Sequence, residues 1–232
     1  MIENNVNYKE ALELYDREFS HIDLISMLSS GSVIERQYAA LNLAEINNRT
    51  EAKILLSNLV GVDGKIREVV AQKLVDFTKK YKQFFVDSEN FEKFVQATID
   101  IDGNVCRLAI ISSYNLYEYK NFAKYYANGL IEIIETSLIE ISKFTFRDKK
   151  YKINKQIFKI YWALEGLIYF HTEVTQQKLK NILKNCSQLE EYTIREKCAK
   201  MLNTLPLDNE LEELKQRLMA DENYYVRSIL NN

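Results

Sequence analysis

Val62-Asp-Gly-Lys-Ile-Arg67-Glu-Val-Val-Ala71-Gln-Lys-Leu74 is the stretch whose pattern organises the rest of this chain. Ile66, Val70, Leu74 and Phe77 share one face of a 3.6-residue helix, and Asp63 stands where its N-cap belongs. The order aliphatic, Arg, Ala four residues on and Leu three further returns elsewhere. Arg36-Ala40-Leu43 and Arg195-Ala199-Leu202 repeat it, and a truncated copy begins at Arg227. Ile194 and Val226 precede their arginines as Ile66 does, whereas Glu35 takes that place in the first copy. Arg107 joins the series through Asp102-Gly-Asn-Val-Cys-Arg107, with Ile111 and Tyr114 in the Ala and Leu places. The arginines are 31, 40, 88 and 32 residues apart, and 88 divides into two intervals of about 44, the size of a helix-turn-helix repeat.

Working outward, the rest of the chain agrees with helices. Among 232 residues there are one Pro and six Gly, where average usage gives about 12 and 16. A sheet-rich fold needs such residues at every hairpin, so sandwiches and barrels are excluded. Second helices are expected at Glu51–Val60, Asn90–Ile99, Phe122–Ser142, Val174–Asn185 and Asn209–Met219, with Tyr8–Tyr15 and His21–Leu28 as an N-terminal helix pair. No Ser/Gly/Pro linker interrupts the chain. The expectation is one all-α domain over 1–232, with capping helices in 1–30 and repeats in 31–232.

Arginine in the first turn of a helix opposes the macrodipole at a cost of about 0.3–1 kcal/mol. Its recurrence there predicts a tertiary partner, a carboxylate or orphan carbonyl of the adjacent repeat. Arg36, Arg67, Arg107, Arg195 and Arg227, with Asp63 and Asp102, therefore form an expected structural ladder.

Asp63-Gly-Lys-Ile-Arg67 with Ala71 and Leu74, and Glu191-Tyr-Thr-Ile-Arg195 with Ala199 and Leu202, resemble HEAT-like repeats. The short bacterial variety typified by phycobilisome lyases is the best match, and the resemblance covers about residues 31–232. It implies a right-handed α-solenoid, an armadillo-like superhelix of about five to six helix pairs, used as a binding scaffold. It does not imply lyase chemistry, because such repeats host unrelated functions.

Chemistry is sparsely signalled. His21 and His171 belong to no metal spacing, the glycines form no phosphate-cradling loop, and no nucleophile elbow is present. No metal site, cofactor or catalytic residue is assigned. Cys106, Cys186 and Cys198 contain no CxxC and read as buried apolar residues of a reducing compartment. The opening Met1-Ile-Glu-Asn-Asn has no signal-peptide pattern, and Ile160–Phe170 is too short to span a bilayer, so a cytoplasmic location without membrane contact is expected.

Two features stand above this background. Lys143, Arg147, Lys149, Lys150, Lys152, Lys155 and Lys159 face only Asp148, interleaved with Phe144, Phe146, Tyr151 and Phe158. Residues 1–30 carry six acids to two bases and 188–223 nine to five, so the middle of the chain is its basic part. Lys149, Lys150, Lys152 and Lys155 are too dense for one helix face, so this stretch is expected to be a loop running into a helix start that, with Arg147 and Tyr151, docks an acidic protein. The net charge of −2 makes nucleic acid the weaker candidate. The second feature is aromatic: Tyr114, Tyr117, Tyr119, Phe122, Tyr125 and Tyr126, expected mostly in the core, and Tyr161 with Trp162. Trp162 and Glu165 share a helix face, an alternative pocket that superficially resembles the HEAT-like DNA glycosylases. The leading expectation is a non-enzymatic interaction scaffold; a nucleic-acid-binding or base-modifying enzyme is the alternative, and a chromophore-lyase module stays open.

Overall fold

The computed structural model describes residues 11–144 and 146–231, with the side chains of 146–149 outside the described set. It is 77% helical, and no strand occurs among the described residues. Residues 11–15 are helical; the expected helix start at Tyr8 lies outside the described residues. The helices that follow are α1 (His21–Ser30), α2 (Val33–Asn42), α3 (Arg49–Leu59), α4 (Gly64–Lys80), α5 (Ser88–Thr98) and α6 (Gly103–Tyr114). After them come α7 (Lys120–Ser142), α8 (Phe146–Phe170), α9 (Gln176–Cys186), α10 (Tyr192–Leu202), α11 (Asn209–Met219) and α12 (Tyr224–Leu230).

Short polar side chains start these helices. Ser20 and Ser32 form reciprocal capping boxes with Asp23 and Glu35, and Asn48, Asp63, Asp87, Asp102, Asp208 and Asn223 each accept a first-turn amide. Each such cap stabilises its helix by about 1 kcal/mol. Pro206 stands four residues beyond the end of α10, where no helix needs its missing N–H.

The chain divides into two compact units, Met1–Phe122 and Ala123–Asn232, the boundary falling inside α7 and not in a linker. Within the first unit, packing runs between neighbours. Helices α2, α4 and α6 lie against one another in one layer and α1, α3 and α5 in a second, with α1·α2, α3·α4 and α5·α6 joining the layers. Between the layers the first unit buries the expected apolar faces: Leu55, Leu56, Leu59, Val70, Ala71 and Leu74 are fully enclosed, and Ile66 and Phe77 nearly so. Each large side chain so buried contributes about 1.5–3 kcal/mol. In the second unit α8, α10 and α12 make one layer, and α9 packs against α11 in the other. Here Ile194, Cys198, Ala199, Met201 and Leu202 are enclosed.

Polar side chains bind each layer along its length. Lys73 Nζ of α4 donates to Leu43 O at the end of α2 (3.1 Å), and Asn58 Nδ2 of α3 donates to Leu28 O of α1 (2.9 Å). Asn203 Nδ2, just past α10, donates to Ile229 O of α12 (2.9 Å). Carbonyls left over at one helix end thus find donors on the next helix.

Two expectations are corrected. The basic run is helix, not loop: α8 continues unbroken from Phe146 through Lys149–Lys155 to Phe170. No Gly or Pro interrupts it, Lys and Arg are good helix formers, and Ile153, Ile160, Ala163, Leu164 and Leu167 supply a buried stripe. The aromatic cluster is not mostly core. Phe122 and Tyr126 are fully buried, one turn apart, whereas Tyr114 and Tyr125 are 53% and 43% exposed. Tyr125 follows Lys124 on the outer side of α7, away from the Phe122/Tyr126 face.

Candidate functional site

The arginine ladder is the most regular polar feature. Arg195 of α10 is enclosed. Its Nε donates to Asp221 Oδ2 (2.7 Å) and its Nη2 to Asp221 Oδ1 (3.1 Å), while Nη1 donates to Leu189 O (2.9 Å) and Glu190 O (2.7 Å). Arg67 of α4 makes a looser version of this arrangement in the first unit, its Nε close to the carboxylate but not aligned for a hydrogen bond. Its Nε stands 2.7 Å from Asp100 Oδ2, Nη2 donates to Asp100 Oδ1 (3.3 Å), and Nη1 to Gly61 O and Val62 O (3.0 and 2.8 Å). Each arginine thus ties its own incoming loop to the loop that opens the next helix of its layer. At Arg195 the fork is bidentate, fits guanidinium to carboxylate and fixes register as well as charge. Arg195 holds the Asp221 carboxyl below the ordinary carboxylate range: burial pushes it up, but the Arg195 bonds, the Asn223 N–H and the Arg195 and Arg227 charges outweigh that.

Counting from the helix cap explains which arginines belong. Arg36, Arg67, Arg195 and Arg227 each stand four residues after the cap positions Ser32, Asp63, Glu191 and Asn223. Arg227 Nη1 donates to Asp221 O and Glu222 O, and Arg36 Nε to Gly31 O (3.0 Å). Arg107 stands five after its cap, Asp102, and so is turned about 100° round the helix. It is exposed and, among the described residues, meets only Asn104 Oδ1 of its own turn (3.4 Å). Arg107 is therefore not part of the ladder. Cys106 occupies the ladder place, and its Sγ donates to Asp100 O (3.1 Å), the carbonyl six residues back that Arg67, Arg195 and Arg227 also use at their own sites. Burial, with the Asp100 charge, pushes the Cys106 thiol up to about 12, so it is a neutral donor. Asp63 and Asp102 are caps, accepting from Ile66 N (2.9 Å) and Asn104 N (2.7 Å).

On the basic helix α8, Lys150, Lys152 and Lys155 are exposed, and Tyr151 is 79% exposed. Lys152 Nζ lies over the Phe144 ring at 5.1 Å. The side chains of Arg147 and Lys149 lie outside the described residues. Lys152 and Lys155 share a face, and among the described residues neither is in an ion pair with a carboxylate.

Trp162 and Glu165 also lie on α8. Lys197 of α10, 3% exposed, donates to Glu165 Oε2 at 2.5 Å and stands 4.3 Å from the Tyr161 ring centroid. Burial pulls the Lys197 ammonium down, yet Glu165 and Tyr161 together leave it above the usual lysine value. Trp162 packs edge-on to Phe158 and Tyr161 (ring centroids 6.3 and 5.3 Å), and its buried Nε1 has no hydrogen-bond partner among the described residues. The Glu165 carboxylate thus has a cation within its own fold. Sequence reading did not find Lys197, because nothing in Ile194-Arg-Glu-Lys197-Cys marks a lysine as buried.

Clefts lie in both units. One, of about 600 Å³, runs between α9 and α11 in the second unit, where Lys180, Lys184 and Arg217 mix with Glu210 and Glu213. Another, of about 380 Å³, sits in the first unit beside Arg36 and Gly61. Among the described residues no His, Cys, Asp or Glu cluster could hold a metal ion, and no helix is long and apolar enough to cross a membrane. The three cysteines are free and buried.

No family model matches this chain, and no curated protein matches it. Among solved structures it is similar to a crystal structure of an engineered protein, at 13% identity over 92% of this chain and 94% of that one, with a TM-score of 0.47. A likeness of that size carries no conclusion about fold or function.

Proposed function

We propose that this protein is a non-enzymatic interaction scaffold, a right-handed α-solenoid of HEAT-like helix pairs, that holds an acidic protein partner on the basic part of α8. One observation carries the reading: Lys152 and Lys155 stand exposed beside a Tyr151 ring that is 79% exposed, with no ion-paired carboxylate among the described residues. Exposed tyrosine is a residue that protein interfaces enrich, and like charge gathered on one helix is relieved by an acidic surface. The neighbour-to-neighbour packing inside each unit and the repeated arginine fork support the repeat assignment.

The test measures binding of a fluorescein-labelled deca-glutamate peptide and a twelve-nucleotide single-stranded DNA by anisotropy across a salt series. Lys150→Glu, Lys152→Glu and Lys155→Glu together should weaken the peptide about tenfold or more, with an unchanged circular dichroism spectrum. Unchanged peptide binding in the triple variant would overturn the proposal. DNA binding tighter than the peptide, with affinity falling steeply in salt, would transfer the surface to nucleic acid.

A further inference from the structure

Two repeat junctions share a device: a carboxylate two residues ahead of the helix cap receives the arginine fork of the previous repeat. Asp100 stands ahead of Asp102 and takes Arg67; Asp221 stands ahead of Asn223 and takes Arg195. Each carboxylate also accepts the N–H of the cap residue, at 2.8 Å in both cases. The first junction keeps the arginine, Arg36, and the cap, Asp63, but the carboxylate's place is Gly61.

The space this leaves is open. A cleft of about 380 Å³ is lined by Arg36, Gly61, Asp63 and Gly64, with Val33 and Val62 at its margin. Arg36 Nε is used by Gly31 O, but Nη1, Nη2 and the Asp63 N–H have no partner among the described residues. Of the donors that meet a carboxylate at the other two junctions, the arginine Nη2 and the cap N–H are thus present here without an acceptor, while Nε is turned to Gly31 O.

We propose that this junction binds a carboxylate brought by another polypeptide, an acidic side chain seated between the Arg36 fork and the Asp63 amide. Two nearby acids do not forbid it. Glu35 is engaged with Ser32 N (2.7 Å) and Asp63 with Ile66 N (2.9 Å). Asp102 is just as near Asp100, and the Arg67 pair forms there all the same. The exposed Val33 and Val62 offer apolar contact to the stem and backbone of a peptide, which an inorganic anion could not use. This site does not depend on the basic helix α8, so the two readings fail separately.

The structure also supplies the control. A Cβ built at Gly61 meets nothing nearer than 3.5 Å, and no glycine has positive φ, so aspartate fits there without strain. The experiment is a 1H–15N NMR titration of the full chain with N-acetyl-aspartic acid amide, which carries only a side-chain carboxylate. N-acetylalanine, with only an α-carboxylate, is the second probe, and sodium chloride at matched ionic strength is the control. The aspartyl probe should shift the Arg36 Nε–H and Asp63 amide signals saturably. Arg36→Gln should weaken it at least tenfold, and Gly61→Asp should abolish the response while raising the thermal midpoint. No saturable shift at those signals, or an undiminished response in Gly61→Asp, would overturn the site. Saturation by N-acetylalanine alone would overturn the side-chain assignment in favour of a chain terminus.

Discussion

Replacing Arg195 by Ala removes four hydrogen bonds at one stroke, and its cost can be worked from the geometry. Two of the lost bonds run to the opposite charge of Asp221, whose side chain is 8% exposed against 10% for Arg195. Breaking a buried pair from one side costs about 3–5 kcal/mol, because the remaining charge stays enclosed. Here the lower end applies: Asp221 keeps the Asn223 N–H and the nearby Arg227 charge, and the carbonyls of Leu189 and Glu190 lie in a loop that water reaches. Arg195→Ala should therefore destabilise by about 3 kcal/mol, a shift of about 1 M or more in the urea midpoint. Asp221→Ala should cost about the same, since Arg195 would keep two carbonyls but lose its counter-charge. The double variant should lose much less than the sum, with a coupling energy of about 1.5–3 kcal/mol.

The same assay ranks the whole series. Arg67→Ala should fall near Arg195→Ala, because its pair with Asp100 is as well enclosed (12% and 11% exposed side chains). Arg36→Ala, with one bond to Gly31 O, should cost about 1 kcal/mol. Arg107→Ala should stay within about 0.5 kcal/mol, as an exposed side chain does. A loss below about 0.5 kcal/mol for Arg195→Ala would refute the ladder. So would an Arg107→Ala as costly as Arg195→Ala, since that would place the arginine register one residue further along.

Acid unfolding should report the Asp221 pair. Its carboxyl pKa is depressed in the folded state, so its stabilisation is complete above the unfolded value of about 3.9 and is lost as pH falls through the lower folded value. Asp221→Asn should remove that part of the acid limb, as followed by circular dichroism from pH 5 to 2. Native protein should resist iodoacetamide at Cys106, Cys186 and Cys198, whereas urea-unfolded protein should take up three equivalents by mass spectrometry; burial and raised thiol pKa values at Cys106 and Cys198 keep the thiolate scarce. Lys197→Met should tolerate burial but strand Glu165, so Lys197→Met with Glu165→Gln should be more stable in urea than Lys197→Met alone.

Helix content and most helix bounds were legible because caps and apolar periodicity are local signals. Asn209–Met219 was expected where α11 lies, and the second-helix spans at 51–60 and 90–99 fall within two residues of α3 and α5. The loop assigned to the basic run failed for an instructive reason. Dense lysines cannot all share a face, but a helix only needs its other face apolar, and Ile153 and Ile160 provide it seven residues apart. The Lys197–Glu165 pair was illegible in principle: the two residues stand 32 apart, and only the packing of α10 on α8 brings them together.

The misassigned Arg107 shows what governs such a motif. Matching arginines by residue type put Ile111 and Tyr114 in core places, yet they are 41% and 53% exposed. Matching by distance from the cap puts Val105, Cys106, Ile110 and Ser113 there, and all four are buried. The cap sets the helix phase, and the phase decides whether position four reaches back over its own loop; the side chain found there comes second. Cys106 and Arg67 differ in size and charge but reach the same carbonyl, six residues back, because each stands four residues past an aspartate cap. By the same count Gly61 falls where Asp100 and Asp221 stand in their own junctions. The Gly61 position is thus read as a missing carboxylate from the periodicity of the backbone, and Gly61→Asp tests the phase rule and the proposed site together.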